Sequence, residues 1–148
     1  MNATAPGLET GMAAVSIHQP PEPGALLAAA KAGNLSEVKD LLDKGADKEA
    51  MDEFGYTALH WAAENGHKDM VALLIEKGAN KEAKDKYEET ALHWAAKDGH
   101  KDMVALLIEK GANKEAKGNN GETALHYAAF RGHNNVVALL IEKQGANV

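Results

Sequence analysis

The sequence contains no cysteine. That excludes a disulfide framework and thiolate metal sites, and it fits a reducing compartment; a cytoplasmic location, or a nuclear one, is the expectation. Aromatic residues make up only 5% of the 148 residues, against 45% hydrophobic residues in all. The core must therefore come from Leu, Ile, Val and Ala, a choice that suits close helix packing better than a sandwich. The net charge is −6, and no block of consecutive basic residues occurs. Phosphate contacts need a basic face, so no nucleic-acid partner is expected, and no anionic membrane surface either. No apolar run approaches the roughly 18 residues of a membrane span. The opening "MNATAPGLETGMAAV" has neither a basic n-region nor a true apolar h-region, so no secretory signal is expected. Proline is scarce as well, and Pro20, Pro21 and Pro23, three of the four prolines, close a stretch without helical or strand period. Residues 1–23 thus read as a disordered proline-containing tail, a stiff linker in preference to a ligand for a proline-recognising domain.

From Gly24 onward the chain is periodic. "TALHWAA" at Thr57–Ala63 returns at Thr90–Ala96, and "TALHYAA" follows at Thr123–Ala129, at an interval of 33 residues each time. Thr57–Lys84 and Thr90–Lys117, two windows of 28 residues, differ only at Glu64/Lys97 and Asn65/Asp98. The fourth copy is looser, and the first, "GALLAAAKAGNLSEVKDLLDKGAD", keeps the apolar spacing but lacks the Thr and His. Repeats fall at about 24–56, 57–89, 90–122 and 123–148. A period of this length marks a solenoid or array, because one such unit cannot cover its own apolar faces and must stack on copies of itself.

Each unit reads as two short helices. Thr57 can cap the first, its hydroxyl accepting an orphan backbone N–H. Leu59, Ala62 and Ala63 make a narrow apolar stripe, and Gly66 ends the helix. A second helix is predicted over Lys68–Lys77, with Met70, Val71, Leu73, Leu74 and Ile75 as a broad apolar face and Gly78 beyond its end. "ANKEAKDKYEE" then joins one unit to the next as an extended loop or hairpin. The alanines at 62, 63, 95, 96, 128 and 129 let neighbouring helices approach closely.

The T-x-L-H-x-A-A motif, the G-H pair after it and an apolar helix ending in K-G-A-N, at a period of 33, resemble the ankyrin repeat over Gly24–Val148. The resemblance implies an all-α solenoid of helix-turn-helix units, with short β-hairpin fingers between repeats and a concave binding face. It also implies that function is protein recognition. The chain departs from the family where Ala58, Ala91 and Ala124 stand in place of the usual Pro. The turn D-x-x-G-x-T is kept as "DEFGYT" at Asp52–Thr57, but becomes "DKYEET" with Glu88 for Gly, and "GNNGET" with Gly118 for Asp.

His60, His93 and His126 titrate near neutrality in isolation and could be metal ligands or general bases. Stacking at roughly 10 Å per repeat holds them too far apart to share one zinc with bonds of about 2 Å. A structural role at each turn, tying adjacent repeats together, is the preferred reading. The same reasoning covers His67, His100 and His133. Trp61, Trp94 and Tyr127 could form a recognition stripe, but partial burial against the next repeat is preferred. No phosphate loop, H-E-x-x-H or G-x-S-x-G pattern occurs, so no enzyme and no cofactor is expected.

The copies differ where a partner would be read. These places are Glu53, Phe54 and Tyr56 against Lys86, Tyr87 and Glu89, then Asn119, Asn120 and Glu122. At the helix ends they are Glu64 and Asn65, Lys97 and Asp98, then Phe130 and Arg131. By the resemblance these are finger tips and the solvent ends of inner helices. Exposed aromatics and Arg there are the residue types of interface anchors. The expectation is a module that binds another protein through this face. The alternative is an assembly role through end-to-end stacking, or a piece of a larger repeat protein, since "VVALLIEKQGANV" keeps a full apolar outer helix where a capping repeat would turn polar. A monomer is expected, with weak self-association through that end.

Overall fold

The computed structural model describes residues 21–145, so residues 1–20 of the tail expected over 1–23, and the residues after Gly145, lie outside the described residues. Among the described residues there are eight helices and no strand. They are α1 (Pro23–Ala32), α2 (Leu35–Asp43), α3 (Ala58–Glu64), α4 (Lys68–Glu76), α5 (Ala91–Lys97), α6 (Lys101–Glu109), α7 (Ala124–Arg131) and α8 (Asn134–Gly145). None is long and apolar enough to cross a membrane. The odd-numbered inner helices pack on one another in chain order, the even-numbered outer helices do the same, and each pair packs on itself. The result is two layers of antiparallel helix pairs, the repeating all-α stack that the period requires.

Local chemistry sets the helix starts. The Thr57 hydroxyl accepts from the His60 N–H, and His60 Nδ1 accepts from the Thr57 N–H at 3.1 Å. This is a reciprocal capping box in which His takes the place of the usual Glu or Gln, and it recurs at Thr90/His93 and Thr123/His126. Ala58, Ala91 and Ala124 are the first residues inside their helices. The first repeat starts on Pro23 instead, at the position where a missing N–H costs nothing; its helix begins one residue inside the expected tail. The outer helices of the middle repeats end at Glu76 and Glu109, with Lys77 and Lys110 as their C-caps.

The core is one strip of small and branched side chains running the length of the stack. Ala62, Ala63, Val71, Leu74, Ala95, Ala96, Val104 and Leu107 are all fully buried. The near-identical second and third repeats bury near-identical sets, which is the nearest-neighbour logic of a solenoid.

The fingers are tight turns in place of the paired strands that the resemblance implies. Each is closed by two backbone bonds at 2.9–3.0 Å, Asp52 N–H to Tyr56 O with Gly55 N–H to Asp52 O, Asp85 N–H to Glu89 O with Glu88 N–H to Asp85 O, and Gly118 N–H to Glu122 O with Gly121 N–H to Gly118 O. Asp52 Oδ1 also accepts from the N–H groups of Phe54 and Tyr56, as Asp85 Oδ1 does from those of Tyr87 and Glu89. A side-chain acceptor thus does what a second strand would do. Successive fingers are linked by one bond each, Lys86 N–H to Phe54 O and Asn119 N–H to Tyr87 O. Gly55 takes φ 79° and Gly121 φ 78°, whereas Glu88 is held at φ 63° in the same place.

Candidate functional site

The inner helices of the second, third and fourth repeats each present one aromatic residue, Trp61, Trp94 and Tyr127, on the finger side, and the fingers decide what each meets. The Trp61 indole N–H donates to Asp52 Oδ2 at 3.1 Å and that of Trp94 to Asp85 Oδ2 at 3.0 Å. In the fourth repeat Gly118 replaces the Asp and Tyr127 replaces the Trp, and the two changes belong together. Without the carboxylate an indole N–H would lose its acceptor, whereas the Tyr127 hydroxyl reaches the Glu89 carboxylate of the preceding finger. A Cβ on Gly118 would lie 3.6 Å from that hydroxyl.

Glu89 joins three repeats. Its carbonyl accepts from His60 Nε2 of repeat two at 2.8 Å. Its carboxylate takes both the Lys97 ammonium, at 3.0 and 3.2 Å, and the Tyr127 hydroxyl of repeat four. It is 6% exposed, so it lies beneath the surface on which the sequence reading placed it. Burial and the bond to Glu89 push the Tyr127 phenol well above its usual range, so the hydroxyl stays a donor.

Aromatic rings and two ammonium groups line up along this face. Lys31 Nζ stands 4.8 Å from the Trp61 ring. Tyr56 sits edge-on between Trp61 and Trp94, at 5.3 and 5.2 Å. Lys97 Nζ lies 4.7 Å from both the Trp94 and Tyr127 rings. Cation–π contacts of this kind contribute roughly 0.5–2 kcal/mol, more as they are desolvated.

A groove of about 370 Å³ opens between the three fingers, lined by Tyr56, Tyr87, Glu89, Trp94, Lys97, Asn119, Asn120 and Tyr127. It gathers six of the residues singled out from the sequence. Glu53, Phe54 and Lys86 stand beside it on the finger tips, with Lys86 Nζ 5.2 Å from the Phe54 ring and 5.7 Å from the Tyr87 ring. Glu64, Asn65, Asp98, Phe130 and Arg131 lie outside it, at the ends of α3, α5 and α7. Among the described residues Phe130 is the most exposed large apolar side chain, at 87%. Burial, then Asp98, holds the Glu64 carboxyl above its ordinary value. Glu122 is half-buried, and its carbonyl receives His93 Nε2 at 2.9 Å.

Sequence reasoning left Trp94 and Tyr127 out of the site and missed Lys31. The signal was present: Lys31, Glu64, Lys97 and Phe130 are spaced 33 residues apart, so they form one column. The histidines are accounted for by packing. His60 and His93 donate from Nε2 to the next finger's carbonyl. His100 and His133 donate to the Glu64 and Lys97 carbonyls of the preceding repeat. The His67 ring fills the space that a Cβ at Gly33 would need, 2.7 Å away.

A family model described as ankyrin repeats (3 copies) matches residues 12–85 and 79–148. A search of curated proteins found no significant match. With capped helix pairs stacked at one period and family matches over nearly all its length, the chain belongs to the ankyrin repeat family.

Proposed function

We propose that this protein binds a segment of another protein across the groove between its three fingers, with Phe130 and Arg131 extending the contact. Ankyrin repeats are generally protein–protein interaction modules, and the finer reading rests on this chain's own residues. The observation that carries it is the groove, where the exposed Tyr87 ring, the half-buried rings of Tyr56, Trp94 and Tyr127 and the amides of Asn119 and Asn120 converge. Trp94, Tyr127, Glu89 and Lys97 are locked to one another across repeats, so they hold the groove's shape without further ordering on binding. Tyr87 and Phe130, 48% and 87% exposed, then have contact area to give, and such residues concentrate binding energy. The amides can pair with the backbone of an extended segment.

The test is affinity capture with the intact chain beside Tyr87→Ala, Asn120→Ala and Phe130→Ala, each checked for an unchanged melting temperature. A partner held by the parent should be lost from Phe130→Ala and Tyr87→Ala. Equal retention by all three variants would refute this face as the binding surface.

A further inference from the structure

Asparagine followed by glycine occurs twice, at Asn65–Gly66 and Asn120–Gly121. The chemistry of such a pair is intramolecular. The Gly backbone nitrogen, with no side chain in the way, attacks the Asn Cγ. The new N–Cγ bond closes a five-membered succinimide, and Nδ2 leaves as ammonia with the proton that the backbone nitrogen gives up. Water then opens the ring at either carbonyl and leaves aspartate or isoaspartate. The backbone N–H must first come free of its hydrogen bond, and the Asn must turn away from helical dihedrals. The cost of that local opening sets the rate in a folded chain.

The fold closes one pair and loosens the other. Asn65 is the C-cap of α3, with φ −85° and ψ −1°. The Gly66 N–H donates to Ala63 O, and the His67 N–H reaches back to Ala62 O at 2.9 Å. The Asn65 amide donates to Lys31 O at 3.5 Å, and the His100 ring of the next repeat holds the Glu64 carbonyl beside it. Freeing Gly66 means unwinding the helix end against all of these bonds.

Asn120 stands on the last of the three fingers, exposed as Phe54 and Tyr87 are at the same place in the two before it. Those two turns are clamped, because Asp52 and Asp85 each accept two N–H groups through one carboxylate oxygen. Gly118 stands where the Asp would be. Among the described residues the N–H groups of Asn120 and Glu122 therefore have no side-chain acceptor. What holds the turn is Gly118 N–H to Glu122 O, Gly121 N–H to Gly118 O at 3.0 Å, and Asn119 N–H to Tyr87 O. The finger without its clamp is the one that carries the Asn–Gly pair.

We propose that Asn120 is a site of spontaneous deamidation, converting in the folded chain to aspartate and isoaspartate through a succinimide with the Gly121 nitrogen. The product exchanges an amide with two donors for a carboxylate that only accepts, on a residue that lines the finger groove. The effect on a partner rests on the groove as binding surface; the conversion itself does not.

The folded chain is held at mildly alkaline pH in heavy-oxygen water, quenched in acid and mapped by mass spectrometry after acidic digestion. Only conversion of the folded protein then carries the label, and the same chain in urea gives the rate without a fold. Asn120 should convert first, to both products, about tenfold faster than Asn65, the order expected for one missing bond to a carboxylate. Conversion at Asn65 as fast as at Asn120, or none at Asn120 while the urea sample converts, overturns the inference. Gly118→Asp restores the clamp, and a Cβ there has room, 3.6 Å from the Tyr127 hydroxyl and the Tyr87 carbonyl. It should slow conversion at Asn120 about tenfold, and an unchanged rate in the folded variant overturns the inference as well. Should that variant not fold, hydrogen exchange in the parent chain decides. The Gly121 N–H should exchange faster than the Gly55 N–H of the clamped first finger, and an equal or slower rate overturns the inference.

Discussion

Glu88 shows how a single residue can oppose the fold around it. Its φ of 63° matches the 79° and 78° of Gly55 and Gly121, and for a residue with a Cβ that region costs roughly 1–2 kcal/mol. Its ion pair with Lys84, at 3.7 Å and half exposed, returns a few tenths of a kcal/mol. The strain outweighs the pair, so Glu88→Gly should stabilise by about 1 kcal/mol, read as a higher urea midpoint; a lower midpoint contradicts the strain. The turn's need for glycine was legible from the sequence by comparison of the three copies. The histidines work through protonation. Burial pushes both His60 and His93 below the ordinary value of 6.5, against the opposing effect of their carbonyl partners. The folded chain therefore binds these protons more weakly than the unfolded chain does. Their contribution is complete above about pH 6.5 and is lost as pH falls through the lower folded values. Denaturant midpoints should drop from pH 7 to pH 5, and His60→Gln with His93→Gln should flatten that drop. An equally steep fall in the double variant would place the acid sensitivity elsewhere.

At the scale of the element, the inner helices α3, α5 and α7 each begin with an alanine whose N–H lies in the orphan first turn. Proline is pre-organised there. Ala58→Pro, Ala91→Pro and Ala124→Pro should each stabilise by about 0.4–1 kcal/mol, mostly by restricting the unfolded chain. Chemical denaturation checks this, and midpoints at or below the parent's would mean that the ring does not fit at these buried positions. Helix positions and caps were legible because they depend on neighbours three and four residues away. The fingers were less so. Their expected strand pairing is replaced by Asp52 and Asp85 accepting two N–H groups each, a choice made by side-chain geometry that no period encodes. The Asp–Trp pairs could have been found, since Asp52 and Trp61 stand nine residues apart, as do Asp85 and Trp94, and both members change together in the fourth repeat. Glu89 could not. It looks like any finger carboxylate until stacking brings Lys97 and Tyr127 to it across 8 and 38 residues.

Over the whole molecule, the near-identity of the middle repeats separates scaffold from recognition. Replacing Phe130, Arg131 or Tyr87 with Ala should shift stability by under about 0.5 kcal/mol, as at exposed sites. The cost in partner affinity should reach about 2 kcal/mol at a true hot spot. Glu89→Ala should do the reverse, loosening the second, third and fourth repeats together, because the half-buried Lys97 ammonium and Tyr127 phenol lose their acceptor at once. The most direct measurement is a heteronuclear NMR titration of the labelled chain with the captured partner. The account predicts shifts at the Trp94 indole N–H, the Asn119 and Asn120 side-chain amides and the Phe130 ring, with the backbones of α2, α4 and α6 unmoved. Perturbations confined to those outer helices, with the groove silent, would contradict it.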